Sequence, residues 1–166
     1  MNILFLHGLE SKLSDPKRAI LETYGKVIAP DLEYKSNPNV IQNLFDEYHH
    51  QDINAIIGSS IGGFTVYYLA NSLGISALLY NPALPYRKEI KQIIPSTLPT
   101  NPSPFMRIVL GALDDIIMAR DNLAFLAQNT NPQTDYHISI KRELAHQIPI
   151  DIFEQETKAF FVELCY

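Results

Sequence analysis

The chain has 166 residues, 46% of them hydrophobic and 10% aromatic, with a formal net charge of −5 and a sequence pI near 5.5. That length suits a single domain, 1–166, able to bury roughly 70% of its unfolded surface. The acidic balance removes the attraction on which non-specific binding to a nucleic-acid backbone rests, so nucleic acid is not an expected partner.

The first apolar run, "NILFLHG", is rich in Leu and Ile and ends in Gly8, as a strand buried on both faces would. Asp15 is placed to cap a helix with Pro16 at its first position and Gly25 beyond its end. "KVIAP" reads as a second strand. Asn37-Pro38 then opens a helix with Val40, Ile41, Leu44, Phe45 and Tyr48 on one face. "INAIIGS" is a third strand, Ile61 to Leu73 a helix closed by Gly74, and "SALLYNPA" a fourth strand. "FMRIVLGA" and "YHISI" supply the fifth and sixth, with the helix "RDNLAFLAQN" between them. After Pro149, Phe153, Thr157, Phe160 and Leu164 mark one side of a last helix.

Strands alternating with helices imply parallel strands, right-handed crossovers and helices on both faces. The expected fold is α/β, a three-layer α/β/α sandwich on a six-stranded, mainly parallel sheet. Six of the eleven prolines fall between Asn81 and Pro104, around the short helical piece "YRKEIKQII". This segment, 82–104, is either a plain long crossover or a small cap over a site.

Apolar runs stop well short of the roughly 20 residues a membrane span needs, so no membrane partner is expected. "NILFL" has no preceding Lys or Arg and is too short for a signal-peptide core. Cys165 is the lone cysteine and has no partner for an intrachain disulfide, which fits a reducing, cytoplasmic setting.

Gly58-Ser59-Ser60-Ile61-Gly62 matches G-x-S-x-G with Ser60 at its centre, between a buried strand and a long apolar helix, as that motif requires. A residue forced into a strained conformation to lift its hydroxyl above the sheet edge crowds its neighbours, which explains Gly58 and Gly62. Gly63 is expected to let the helix lie close to an adjacent strand. The backbone N–H of Ile61, at the helix start, lacks an intrahelical partner and is one half of an oxyanion hole. A phosphate cradle would need G-x-x-x-x-G-K-[ST] or G-x-G-x-x-G, and neither occurs.

A serine hydroxyl needs a histidine base, and the base needs a carboxylate to fix its tautomer. On sheets of this type the chain order is Ser, acid, His. His146, in the connection after the last strand, is at the same edge as Ser60, whereas His137 sits inside "YHISI" facing a helix layer. "VLGALDDII" presents Asp114 and Asp115 at that edge; its Gly-x-x-Asp spacing favours Asp114, and Asp115 suits a cap or solvent. The second oxyanion donor is the N–H of Leu9, with Gly8 allowing a sharp turn. His7 is expected to bond loop backbone.

Taken together, "HG" after the first strand, "GSSIGG", "NPALP", "GALDDII" and "AHQI" resemble the α/β-hydrolase superfamily, and more narrowly the small YqiA-like esterases. The resemblance implies a minimal α/β-hydrolase: a Ser60-Asp114-His146 esterase or thioesterase acting on a small acyl ester or thioester through an acyl-enzyme, with no cofactor and no metal. It also implies that Asn81, Pro82 and Ala83 line the substrate pocket. A peptidase or C–C hydrolase shares this fold, as does a binding module with little hydrolysis. Elsewhere, His49-His50 with Asp52 lacks metal-ligand spacing and reads as a solvated helix end. Asp31 suits a turn, and Tyr67 and Tyr68 suit packing.

Overall fold

The computed structural model describes residues 1–164, so the expectation built on Cys165 lies outside the described residues. The strands are β1 (Asn2–Leu6), β2 (Lys26–Ile28), β3 (Ala55–Ser59), β4 (Ala77–Tyr80), β5 (Phe105–Gly111) and β6 (Asp135–Lys141). The helices are α1 (Asp15–Glu22), α2 (Val40–Tyr48), α3 (Ile61–Leu73), α4 (Arg87–Ile90), α5 (Ala119–Asn129) and α6 (Ile150–Leu164), with a 3-10 turn at Leu84–Tyr86. The expected architecture is present, and every strand pairing is parallel.

The sheet order is β2-β1-β3-β4-β5-β6. The chain leaves β1 toward one edge to make β2, then returns to the other side of β1 to make β3. The carboxyl ends of β1 and β3 therefore flank a topological switch point, where the connecting loops part and leave a crevice. In register, Leu6 lies beside Gly58, Ser59 beside Tyr80, Tyr80 beside Val109 and Gly111 beside Lys141. The segments after these positions carry Leu9, Ser60, Asn81, Asp114 and His146, so all five emerge at one rim.

Side-chain alternation splits the core into two layers. Leu4, Leu6, Ile56 and Leu79 face α2, α3 and α5, while Ile3, Phe5, Ile57 and Tyr80 face α1 and α6. Tyr80 is fully buried, stacks on Phe153 at 5.3 Å, and its hydroxyl lies 3.2 Å from Thr157 Oγ1. This accounts for the Phe153/Thr157/Phe160 stripe. α6 is also held electrostatically. Glu156, 1% exposed, meets Arg107 at 2.8 Å and Lys141 at 2.5 Å. A buried carboxylate is tolerated because cations from two neighbouring strands replace its water.

Several local readings shift. Ser14, not Asp15, occupies the cap position of α1, so Pro16 is its second residue. Gly25 lies beyond the end of α1 as expected, and a Cβ there would fall 2.3 Å from the Met1 carbonyl oxygen, so close approach explains the glycine. Gly74 is left-handed, at φ +69°, and closes α3 as expected. His137 is on an edge strand and half-exposed, with Nδ1 3.1 Å from Glu163.

Candidate active site

Ser60 has φ +57° and ψ −122°, a conformation that side chains adopt only under restraint. The restraint is visible. Its N–H donates to the Tyr80 carbonyl at 3.0 Å, and its carbonyl accepts from the N–H groups of Phe64 and Ala83, each at 3.0 Å. The turn is thus bolted to β4 and the segment after it. Ser60 stands at the cap position of α3, yet its hydroxyl makes no capping bond and stays available.

Gly58 and Gly62 sit where added side chains would collide, as expected; Gly63 and Gly8 act differently. A Cβ at Gly58 would lie 2.6 Å from the Gly62 carbonyl oxygen, and one at Gly62 would lie 2.1 Å from the Leu6 carbonyl oxygen. Gly62 therefore lets the start of α3 sit directly on the end of β1. That contact brings the N–H of Ile61 near the loop that carries the N–H of Leu9. Neither donor is engaged by another group among the described residues. Gly63 packs on Pro82, 2.9 Å from a Cβ placed there, rather than on a strand. The left-handed residue of the first loop is Glu10, at φ +50°, not Gly8, whose backbone instead passes against the Ser60 side chain.

Asp114 and His146 meet at 2.8 Å between Oδ2 and Nδ1. The other oxygen of Asp114, Oδ1, accepts from the N–H groups of Ile116 at 2.9 Å and Ile117 at 2.8 Å. Its side chain is fully buried, so three hydrogen bonds replace the water an ionised carboxylate would otherwise require. Facing an acceptor, His146 Nδ1 donates, which leaves Nε2 as the ring acceptor. Asp115 is exposed and forms no hydrogen bond or ion pair with His146. Ser60 and His146 line one cavity of about 340 Å³, with no hydrogen bond between them among the described residues.

Asn81 departs from its expected place. It is 1% exposed, and it braces loops rather than lining a cavity. Its Nδ2 donates to the carbonyls of Ala145 at 2.8 Å and His146 at 3.1 Å, while Oδ1 accepts from the Gly111 N–H at 2.7 Å. Pro82 packs against Gly63 rather than lining either cavity that holds Ser60; of the three residues Asn81, Pro82 and Ala83, Ala83 alone does so. The His146 loop is held from its other side by Leu144, 2% exposed, whose carbonyl accepts from Leu113 N–H at 3.0 Å. Gly111 permits this, since a Cβ there would lie 2.3 Å from the Leu144 carbonyl oxygen.

A second cavity, about 610 Å³, also opens at Ser60 and is walled by Ile61, Ala83, Ile90, Ile116 and Ile117, with Tyr34 at its side. Glu89, Ile90 and Lys91 of the proline-rich segment close part of it. That segment is tied down by Gln92, whose Nε2 donates to the carbonyls of Tyr34 and Asn37, both at 3.0 Å. Tyr34 was not apparent as a site residue from sequence. Its hydroxyl donates to the His7 carbonyl at 3.0 Å, and burial pushes its pKa up, keeping it a donor. The His7 ring accepts from Leu32 N–H at 2.8 Å through Nε2 and contacts the Gly8 carbonyl at 2.6 Å through Nδ1, a loop-shaping role.

The remaining candidates are structural. Among the described residues no group of His, Cys, Asp and Glu is arranged to hold a metal ion. His49 Nδ1 bonds the Phe45 carbonyl at 3.0 Å at the end of α2. Asp31 is exposed and pairs with Lys12 at 2.9 Å, which lowers its pKa. Tyr67 packs and donates to the Asn129 carbonyl. No helix among the described residues is long and apolar enough to cross a membrane.

An all-parallel sheet with a strained serine turn after β3 and an Asp–His pair on the loops after β5 and β6 defines the α/β-hydrolase fold. Solved structures agree. SOBER1 of Arabidopsis thaliana superposes with a TM-score of 0.71 at 14% identity, covering 100% of this chain and 99% of that one. Est1E of Butyrivibrio proteoclasticus gives 0.69 at 14%, covering 99% of this chain and 88% of that one. The Bacillus cereus carboxylesterase gives 0.64 at 16%, with 96% and 87% covered. No curated protein matches the sequence. The model of Uncharacterised protein family UPF0227 matches residues 2–103, and the chain belongs to that family, in line with its YqiA-like motifs.

Proposed function

We propose that the protein is a serine hydrolase that cleaves acyl esters or thioesters through an acyl-enzyme on Ser60. The observation that carries this reading is the convergence at one rim of a strained, uncapped Ser60 and an Asp114–His146 pair whose free ring nitrogen is an acceptor. Ser60 Oγ attacks the acyl carbonyl while His146 Nε2 takes its proton. The carbonyl oxygen becomes an anion held by the N–H groups of Leu9 and Ile61. Collapse breaks the bond to the leaving group, which receives the proton from His146. Water, deprotonated by the same nitrogen, then releases the acid and regenerates Ser60. No metal and no organic cofactor takes part in this sequence. Asn81 serves as a positioning residue that holds the His146 loop. The segment 82–104 serves as a minimal cap on the single domain, and the lone cysteine supports a cytoplasmic setting.

The acyl group is assigned to the 610 Å³ cavity, whose walls are mostly aliphatic. Each buried methylene contributes about 0.8 kcal/mol, so kcat/KM should rise about fourfold per added carbon until the cavity fills. Assay of 4-nitrophenyl acetate, butanoate, hexanoate and octanoate tests this. A rising series supports the reading. Rates no greater than those of a Ser60→Ala variant across the series would refute it.

A further inference from the structure

Ser60 stands between two unlike cavities. The aliphatic one is lined by Ser60 and Ile61 but not by His146; the smaller, of about 340 Å³, is lined by His146, Gln147, Ser11, Lys12 and Lys17. In acyl transfer the general acid must reach the departing atom, so the leaving group lies on the histidine's side. The smaller cavity is therefore the leaving-group side, provided the serine-hydrolase reading holds.

Its charge is one-sided. None of the residues lining it is Asp or Glu. Lys12 is already paired with Asp31, at 2.9 Å. Lys17, on α1, has no carboxylate partner among the described residues and lies 5.3 Å from the centroid of the Phe153 ring. Burial lowers its pKa, the mark of a cation that has lost water without gaining an anion. The neighbouring cavity around Lys35 and Glu10 is different, because those two charges pair with each other.

We propose that the cavity beside His146 receives an anionic leaving group, a carboxylate or phosphate bonded by Lys17, so that the preferred substrates are esters of an apolar acid with an anionic alcohol or thiol. The aliphatic cavity takes the acyl chain, and the anion is released with the first product.

A matched pair tests this: 4-carboxyphenyl butanoate and 4-carbamoylphenyl butanoate, with the same acyl group and leaving groups that differ in charge. The wild type should favour the carboxylate ester, and its preference should fall as sodium chloride is raised. Lys17→Met should lower kcat/KM for the carboxylate ester by about tenfold, as loss of one charge-assisted hydrogen bond would. Its kcat/KM for the carbamoyl ester should stay nearly unchanged, and Lys17→Arg should retain the preference. Competitive inhibition by 4-hydroxybenzoate or by phenyl phosphate distinguishes the two anions. Equal use of both esters by the wild type, independent of salt, overturns the proposal while leaving the hydrolase reading intact. Turnover of neither ester by the wild type overturns both. The salt arm needs no variant, so misfolding of Lys17→Met does not weaken the test.

Discussion

Replacing Ser60 with alanine is expected to lower kcat for ester hydrolysis by on the order of 10⁵- to 10⁶-fold, with the fold unchanged. The turn should persist because it is held by backbone: Tyr80, Phe64 and Ala83 bond the amide and carbonyl of residue 60, not its hydroxyl. Alanine keeps the Cβ already accommodated there. On the proposed mechanism the variant lacks the attacking oxygen, and the N–H groups of Leu9 and Ile61 would supply the residual rate. Ser59→Ala is the control, since Ser59 ends β3 in regular pairing with Tyr80 and should keep most of the activity. Circular dichroism and thermal melts establish the fold, and stopped-time assays on 4-nitrophenyl butanoate read the loss.

The second large effect is that of Asp114→Asn, expected to reduce kcat by about 10⁴-fold, or about 5.5 kcal/mol. The direction follows from the hydrogen bonds around the carboxylate. Oδ1 accepts from two backbone N–H groups, so an asparagine must place its carbonyl there and turn its NH₂ toward His146. The imidazole then has to accept at Nδ1, its proton moves to Nε2, and that nitrogen can no longer receive the proton of Ser60. The loop stays folded because Oδ1 keeps both donors. Asp115→Asn, at an exposed position, should leave the rate nearly unchanged; parallel kcat measurements on the two variants discriminate the carboxylates.

Much of the fold was legible because local signals agreed with one another. α3 runs from Ile61 to Leu73 with Gly74 behind it, as its apolar run and left-handed stop implied. That Ser60, Asp114 and His146 would meet at one rim was readable because parallel strands send the segments after β3, β5 and β6 to the same sheet edge. Asn81 was misplaced because a proline turn after a strand looks alike whether its side chain faces a pocket or braces a loop. Its partners are 30 and 64 residues away in sequence. Gly63 was misread for a similar reason: a glycine signals that space is short, not which segment takes it. Glu156 carried no signal at all, since a glutamate on a helix reads as solvated until Arg107 and Lys141 are seen across the sheet. The two cavities and their opposite character depend on segments far apart in sequence, which periodicity does not report.

The central claim is that His146 activates Ser60. A fluorophosphonate reacts with an activated serine and not with an ordinary one, and intact mass with peptide mapping locates the adduct. The account predicts one adduct per chain, on Ser60 and not Ser59, with labelling largely lost in His146→Ala. An adduct on another residue, or His146→Ala labelled on Ser60 at the wild-type rate, would contradict it.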